Sequence, residues 1–369
     1  MKISNIDVIQ LTYPLEEEAY DATARWRDFN LILVKVTTSN GFVGLADIAP
    51  LHGEEMTIFD IVIKKKLEQL VIGENPYDLE RIWRKMIGKG SSAYPLGNRG
   101  IIVSAASAID LALWDIVSKS FGTPLYNLLG GEFREKVMIY PSFMGYVSVD
   151  MLDEVKRQGF KAIKFKVGFN VKRDFEEVKK VRNTLNEFKI MLDGNQGYDL
   201  YQATEFAEKV REFEIEWFEE PINAFNVKDL RILASKTSIP IALGENYYSL
   251  DEFSEIITND IVSIIQPDTN HGGGVTQIRK IASIAECYDV KFAPHLHSII
   301  GFVVGLHMLT SFPNGYLAEY PMYGKRWPFR DKFIENCVKI EEGYARLICK
   351  QGIGVEYNES LIEEYKIKG

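Results

Sequence analysis

From about residue 136 the chain repeats one unit: a short apolar run, an ionisable residue near its end, then an amphipathic helical stretch. The runs are Val137 to Tyr140, Ala162 to Lys166, Ile190 to Asp193, Glu216 to Glu219, Ile239 to Leu243, Ile261 to Ile265, Val290 to Ala293 and Tyr316 to Ala318. Such runs separated by single helices predict parallel strands, because a parallel neighbour is reached only by a long crossover. Eight of them close into a barrel.

The residues ending these runs constrain the chemistry. The second run ends in Lys164-Phe165-Lys166, and later ends carry Asp193, Glu219, Glu245, Asp268, His295 and Glu319. Successive gaps from Lys166 are 27, 26, 26, 23, 27 and 24 residues by subtraction, one strand-helix unit each. The C-terminal strand ends of such a barrel converge on one mouth. One acidic residue after a strand is most often a helix cap or a solvated loop residue. Asp193, Glu219 and Glu245 recurring in phase would repel one another without a cation, and hard oxygen donors with open positions suit Mg²⁺. Lys164 and Lys166 lie two apart on a strand and share a face. The three carboxylates are their counter-charges. A neighbouring ammonium and a divalent ion are expected to lower a lysine pKa towards neutrality, as a general base requires. His295 stands one strand from Asp268, which can fix its tautomer. His297, two residues on, can share that face.

The first part of the chain reads as α+β. An alternating strand, Ile3 to Thr12, precedes a polar loop near Glu16 to Asp28. A second strand, Leu31 to Thr38, turns at Asn40-Gly41 into Phe42 to Ala46. Helical patterns follow over Glu54 to Leu70, Asp78 to Lys85 and Ile102 to Lys119. The expected fold is α/β: a (β/α)7β modified TIM barrel with an N-terminal α+β capping domain. The expected divisions are a capping domain over 1–130, a barrel over 131–325, and a segment over 326–369 returning to the cap.

A net charge of -9 without any Lys/Arg-rich run argues against nucleic acid. The N-terminus lacks the apolar core of a signal peptide. The longest clean apolar stretch, Ile299 to Leu309, is too short to span a membrane. Cys287, Cys337 and Cys349 show no CxxC spacing, which suits a reduced, cytoplasmic setting. A homo-oligomer acting on a small carboxylate is expected.

These motifs resemble the mandelate racemase subgroup of the enolase superfamily, over nearly the whole chain. Ala108-Ile109-Asp110-Leu111-Ala112-Leu113-Trp114-Asp115, Gly122-Thr123-Pro124-Leu125 and Leu128-Leu129-Gly130-Gly131 are similar to its cap-to-barrel junction. Lys164-Phe165-Lys166 matches its KxK motif. Asp193-Gly194-Asn195, Trp217-Phe218-Glu219-Glu220-Pro221 and Gly244-Glu245-Asn246 match its metal-ligand motifs. Gln266-Pro267-Asp268 and Pro294-His295 match its Asp–His pair. The resemblance implies that Lys166 is the base on one face of the substrate and Lys164 holds its carboxylate. It implies that His295, supported by Asp268, works on the opposite face, that Glu319 hydrogen-bonds the forming enolate, and that Asn195 contacts an α-hydroxyl. Asp268 stands where the muconate-lactonising branch carries a lysine.

The implied chemistry is Mg²⁺-dependent removal of a proton next to a carboxylate through an enediolate. His295 could then return a proton, giving racemisation or epimerisation. It could instead protonate a β-hydroxyl, giving dehydration of an acid sugar to a 2-keto-3-deoxy acid. Dehydration is favoured because Arg25, Trp26 and Arg27, in a loop expected to close over the mouth, would suit a polyhydroxylated substrate; surface residues would look the same. A catalytically silent homologue is the remote alternative.

Overall fold

The computed structural model describes residues 1–87, 91, 94–324 and 327–367. The N-terminal sheet is an antiparallel meander of β1 (Ile3–Tyr20), β2 (Arg25–Thr38) and β3 (Val43–Ile48). The stretch expected as a polar loop is mostly strand. Past a register shift between Pro14 and Ala19, Ala19 pairs with Trp26 and Tyr20 with Arg25. The turn is confined to Asp21–Ala24, where the Asp21 carboxylate accepts from the backbone of Thr23 and Ala24 at 2.6 and 2.8 Å. Glu16 to Glu18 read as loop because the ribbon is solvated there, and acidic residues carry no strand signature.

A 20-residue helix, Ile101–Ser120, backs this sheet. By length and composition it could cross a membrane, which corrects the expectation that Ile299 to Leu309 was the best candidate. It is a core helix: nearly all of it is buried between sheet and barrel.

The barrel strands are β4 (Val137–Phe143), β5 (Ala162–Lys166), β6 (Lys189–Asp193), β7 (Ile215–Glu219), β8 (Ile241–Leu243), β9 (Ile264–Ile265), β10 (Lys291–Phe292) and β11 (Ala318–Met322). They pair in parallel in sequence order, with a helix in each of the seven intervals. The ring closes where β11 pairs with β4 and where Phe292 bridges Gly315. Inside, Tyr140, Ala162, Met191, Trp217, Ala242, Ile264, Ala293 and Leu317 form an apolar layer, one residue from each strand or its edge. Two residues further along, on the same face, come Lys164, Asp193 and Glu219. Asp193 is in register with both Lys166 and Glu219. Glu319 departs from the expected pattern. It is the second residue of β11, opposite Tyr140, and not its end.

The C-terminal segment divides its contacts. The hairpin β12 (Val338–Glu341) and β13 (Tyr344–Leu347) pairs with β4. The helix Glu359–Tyr365 then leads Lys366 to a bridge with Leu11 of β1.

Three buried carboxylates join sheet, helix and barrel. Asp47 on β3 accepts from the backbone of Ile299, Ile300 and Gly301 and from Ser298 Oγ, at 2.8 to 3.2 Å. It thus caps a barrel helix at its positive end. Asp110 accepts from Thr276 N at 2.9 Å. Asp115 accepts from Leu45 N, Ile353 N and Lys119 Nζ.

Candidate active site

The Lys164 ammonium is almost fully buried. It lies 2.8 Å from both Glu219 oxygens, 2.9 Å from Glu319 and 3.4 Å from Asp193. Lys166 Nζ sits 2.6 Å from Asp193 Oδ2. Glu245 arrives by a different route. β8 ends at Leu243, and Gly244, at φ +155°, turns the chain so that Glu245 reaches the others. A Cβ on Gly244 would lie 2.5 Å from the Gln266 backbone, so no other residue fits that turn.

Asp193, Glu219 and Glu245 present carboxylate oxygens all within 4.8 Å of one another. Oxygens bound to one Mg²⁺ at about 2.1 Å stand roughly 3 to 4 Å apart, so this spacing suits a single ion. Two further observations support a cation. Glu245 Oε2 is buried without a hydrogen-bond partner, and His295 Nε2, 3.4 Å away, is close enough for ion pairing but not aligned to donate. Burial, and then the charge of Asp193, push the Glu219 pKa up to about 8. An all-oxygen set carrying surplus negative charge fits a hard divalent ion. Asp268, His271 and His297 also offer ligand atoms within 4.8 Å. The two rings, however, stack 5.1 Å apart and only 10° from parallel, so their in-plane lone pairs run side by side and do not converge.

The lysines differ from expectation. Burial alone would lower both, but the surrounding carboxylates outweigh it and hold Lys164 and Lys166 above the ordinary lysine range. The expected lowering presumed that a cation was already using those charges.

Asp268 and His295 are brought together as expected, with Nδ1 2.7 Å from Oδ2. The same oxygen lies 2.7 Å from His297 Nδ1, and Oδ1 accepts from the backbone of Asn270 and His271. Burial would lower the His295 pKa, but Glu245, Glu319 and Asp268 hold it up at about 10. His295 and His297 stack 4.9 Å apart.

A cavity of about 550 Å³ opens between cap and barrel mouth, and Lys166, Asn195, Glu245 and His295 all line it. Asn195 donates to Glu245 Oε1 at 3.2 Å, and its own Oδ1 is buried without a partner. Lys164 and Glu319 stay behind this wall, paired with each other. They face the carboxylates, with Lys164 Nζ 2.9 Å from Glu319.

Trp26 lines the cavity together with Tyr323. Arg25 and Arg27 do not line it. They are 68% and 79% exposed and pair with Glu18, because strand alternation turns them to the face opposite Trp26. Their expected contact with substrate is therefore corrected. The hairpin tip itself reaches the mouth: Tyr146 N donates to the Tyr20 hydroxyl at 3.2 Å. Ala22 nests against Gly168 and Gly197, where an added Cβ would approach its methyl to 3.3 and 2.8 Å.

Several site neighbours were not singled out from sequence. Glu220, buried and held by Asn246 at 2.8 and 2.9 Å, is pushed well above the carboxylate range by burial and by Glu245. Gln266 donates to Glu219 at 2.7 Å. The adjacent acidic pair in Trp217-Phe218-Glu219-Glu220 was the available signal for Glu220: in a strand, only one of the two can face the barrel interior.

Residues 19–130 match the model described as "Mandelate racemase / muconate lactonizing enzyme, N-terminal domain", and residues 148–361 that described as "Enolase C-terminal domain-like". The chain is 29% identical to an arabinonate dehydratase of Saccharolobus solfataricus, over 99% of this chain and 100% of that one. It is 26% identical to a D-galactarolactone cycloisomerase of Agrobacterium fabrum, over 100% and 99%. A racemase from Streptomyces coelicolor, solved with bound magnesium, superposes with a TM-score of 0.90 at 25% identity, over 99% and 100%.

Proposed function

The chain belongs to the mandelate racemase / muconate lactonizing enzyme family, and from that premise we propose that it dehydrates an acid sugar, a 2-hydroxy acid, to a 2-keto-3-deoxy acid, with Mg²⁺ as cofactor. Asp193, Glu219 and Glu245 would hold the ion, which when bound stabilises the negative charge gathering on the substrate carboxylate as the α-proton leaves. Lys166 takes that proton, and can do so only once its 2.6 Å pair with Asp193 loosens, since that pair keeps the ammonium charged. His295, with Nδ1 fixed on Asp268, turns Nε2 to the cavity, and in its charged form gives that proton to the β-hydroxyl. One proton is taken at C2, one is given at C3, and water departs; the remaining enol becomes the ketone. Asn195 faces the α-hydroxyl from the cavity wall. Lys164 and Glu319 position the carboxylates from behind it.

One observation carries this proposal. An imidazole fixed on Asp268 shares a cavity with a lysine from the far side of the barrel: β4 and β11 separate their strands one way round, β6 to β9 the other. The relationship to the arabinonate dehydratase supports dehydration; the resemblance to the Streptomyces racemase supports a second reading, racemisation or epimerisation by the same pair. The test is a screen of sugar acids with Mg²⁺ in D₂O. Formation of 2-keto acid supports dehydration. Deuterium entering at C2 without any 2-keto acid supports the second reading. Neither outcome with any acid would remove both.

A further inference from the structure

With Mg²⁺ on Asp193, Glu219 and Glu245 the two sides of the cavity would differ in charge. The barrel side carries Lys166 at the end of β5 and His295 after β10, together with the metal-ligand candidate Glu245. Among the described residues no other lysine and no arginine lines it. The cap contributes the opposite sign: Asp21, Asp28 and Glu55 line the far end, with Asn30 beside them. Asp21 and Glu55 each spend one oxygen on nearby backbone N–H groups, Thr23 and Ala24 for Asp21 and His52 for Glu55, which leaves the second oxygen of each and both oxygens of Asp28. The apolar rings of Trp26 and Phe29 also line it.

We propose that this cavity selects monocarboxylic polyhydroxy acids, whose far end is an uncharged hydroxylated carbon, and rejects the matching dicarboxylic acids. The proposal rests on the α-proton chemistry above, and names its substrate class. The single carboxylate goes to the cationic barrel end. A second carboxylate at the far end would meet the like charges of Asp28, which is exposed, and Glu55, which is half-buried, and would be repelled by both, less so at high salt. A terminal diol meets the same groups favourably, because each carboxylate offers about four lone-pair sites to hydroxyl donors. The apolar rings suit the C–H faces of a sugar chain. The arginines expected to meet the far end point out of the cavity, so they do not offset this acidic end.

The test measures binding and does not depend on turnover. Titration calorimetry of the Mg²⁺-loaded full chain would compare matched pairs: gluconate with glucarate, galactonate with galactarate and mannonate with mannarate, with mandelate as an apolar monoacid. In at least one pair the aldonate should bind at least about tenfold more tightly than its diacid, and more tightly than mandelate. The double variant Asp28→Asn, Glu55→Gln should reduce that gap to about threefold or less by improving the diacid. Equal or tighter binding of the diacids, tighter binding of mandelate, a gap indifferent to the double variant, or no binding by any of these acids would overturn the proposal. Failure of the catalytic reading looks different: the aldonate preference persists while no acid yields 2-keto acid or exchanges its C2 proton.

Discussion

Two groups of buried carboxylates serve this chain in opposite ways. At the seam between cap and barrel, Asp47, Asp110 and Asp115 are met largely by backbone N–H groups, three of them from the start of one barrel helix. At the barrel mouth, Asp193, Glu219 and Glu319 are met by side-chain ammonium groups, and Glu245 keeps one oxygen with no hydrogen bond at all. Burial opposes ionisation in both places. Backbone donors cannot leave, so the seam is fixed. Side-chain ammonium groups can be displaced by a stronger cation, so the mouth can be loaded and emptied.

That contrast can be broken by mutation. The largest effect should come from the mouth's proton-transfer pair. Lys166→Ala and His295→Asn should each lower kcat on the order of 1,000-fold, within the range for lost acid–base catalysis, with little change in melting temperature. One of the two should still exchange the C2 proton with D₂O, followed by NMR. Full turnover in either variant would remove that residue from the chemistry. Next, Asp47→Ala strips the carboxylate from the start of a buried helix and should cost about 3 kcal/mol of stability by urea unfolding. The Mg²⁺ affinity of the folded fraction should hold, and a parallel loss of Mg²⁺ binding would mean the two groups are not independent.

Smaller effects sharpen the comparison. Glu245→Gln should weaken Mg²⁺ binding on the order of 100-fold by calorimetry, since even outer partners of metal sites contribute about 10- to 100-fold. Without metal it should leave melting unchanged or raise it, as the variant sheds a charge with no hydrogen bond on one oxygen. The last prediction concerns Asp110. Burial raises its pKa to about 7, against about 3.9 in an unfolded chain. The fold therefore favours the protonated form. Its contribution to stability is complete below about pH 4 and is lost as pH rises through about 7. Asp110→Asn should flatten that decline, gaining on the parent in melting temperature between pH 5 and pH 8; parallel curves would contradict it.

The strand ends were legible because a charge stopping an apolar run is conspicuous, and the 23- to 27-residue rhythm placed each one. Glu319 was misplaced by the same logic: β11 continues apolar beyond it, so the charge marks the interior face and not a terminus. The hairpin was hidden by Glu16, Glu17 and Glu18, whose composition resembles a loop although their backbone is strand. Arg25 and Arg27 could have been separated from Trp26 by alternation alone. The lysine pKa could not, since it depends on whether a cation already occupies the carboxylates. Asp110 and Asp115 were quoted only as part of a junction motif. Two acids inside an apolar helix already signal burial against partners from elsewhere in the chain, although sequence does not say which.

The nest of Ala22 against Gly168 and Gly197 sets a mechanical tolerance. A carbon added on Gly197 or Gly168 would come 2.8 or 3.3 Å from the Ala22 methyl, and would also meet a backbone oxygen of the barrel loops at 2.4 Å. Any larger side chain at this point would act as a shim under the hairpin, propping it up by its own width and letting water into a chamber whose electrostatics depend on dryness. A lineage adapting this scaffold to a bulkier acid therefore has little freedom where the hairpin tip rests. It must carve the extra room from the walls, at positions such as Trp26, Phe29 or Met144, where a change of volume leaves that contact untouched.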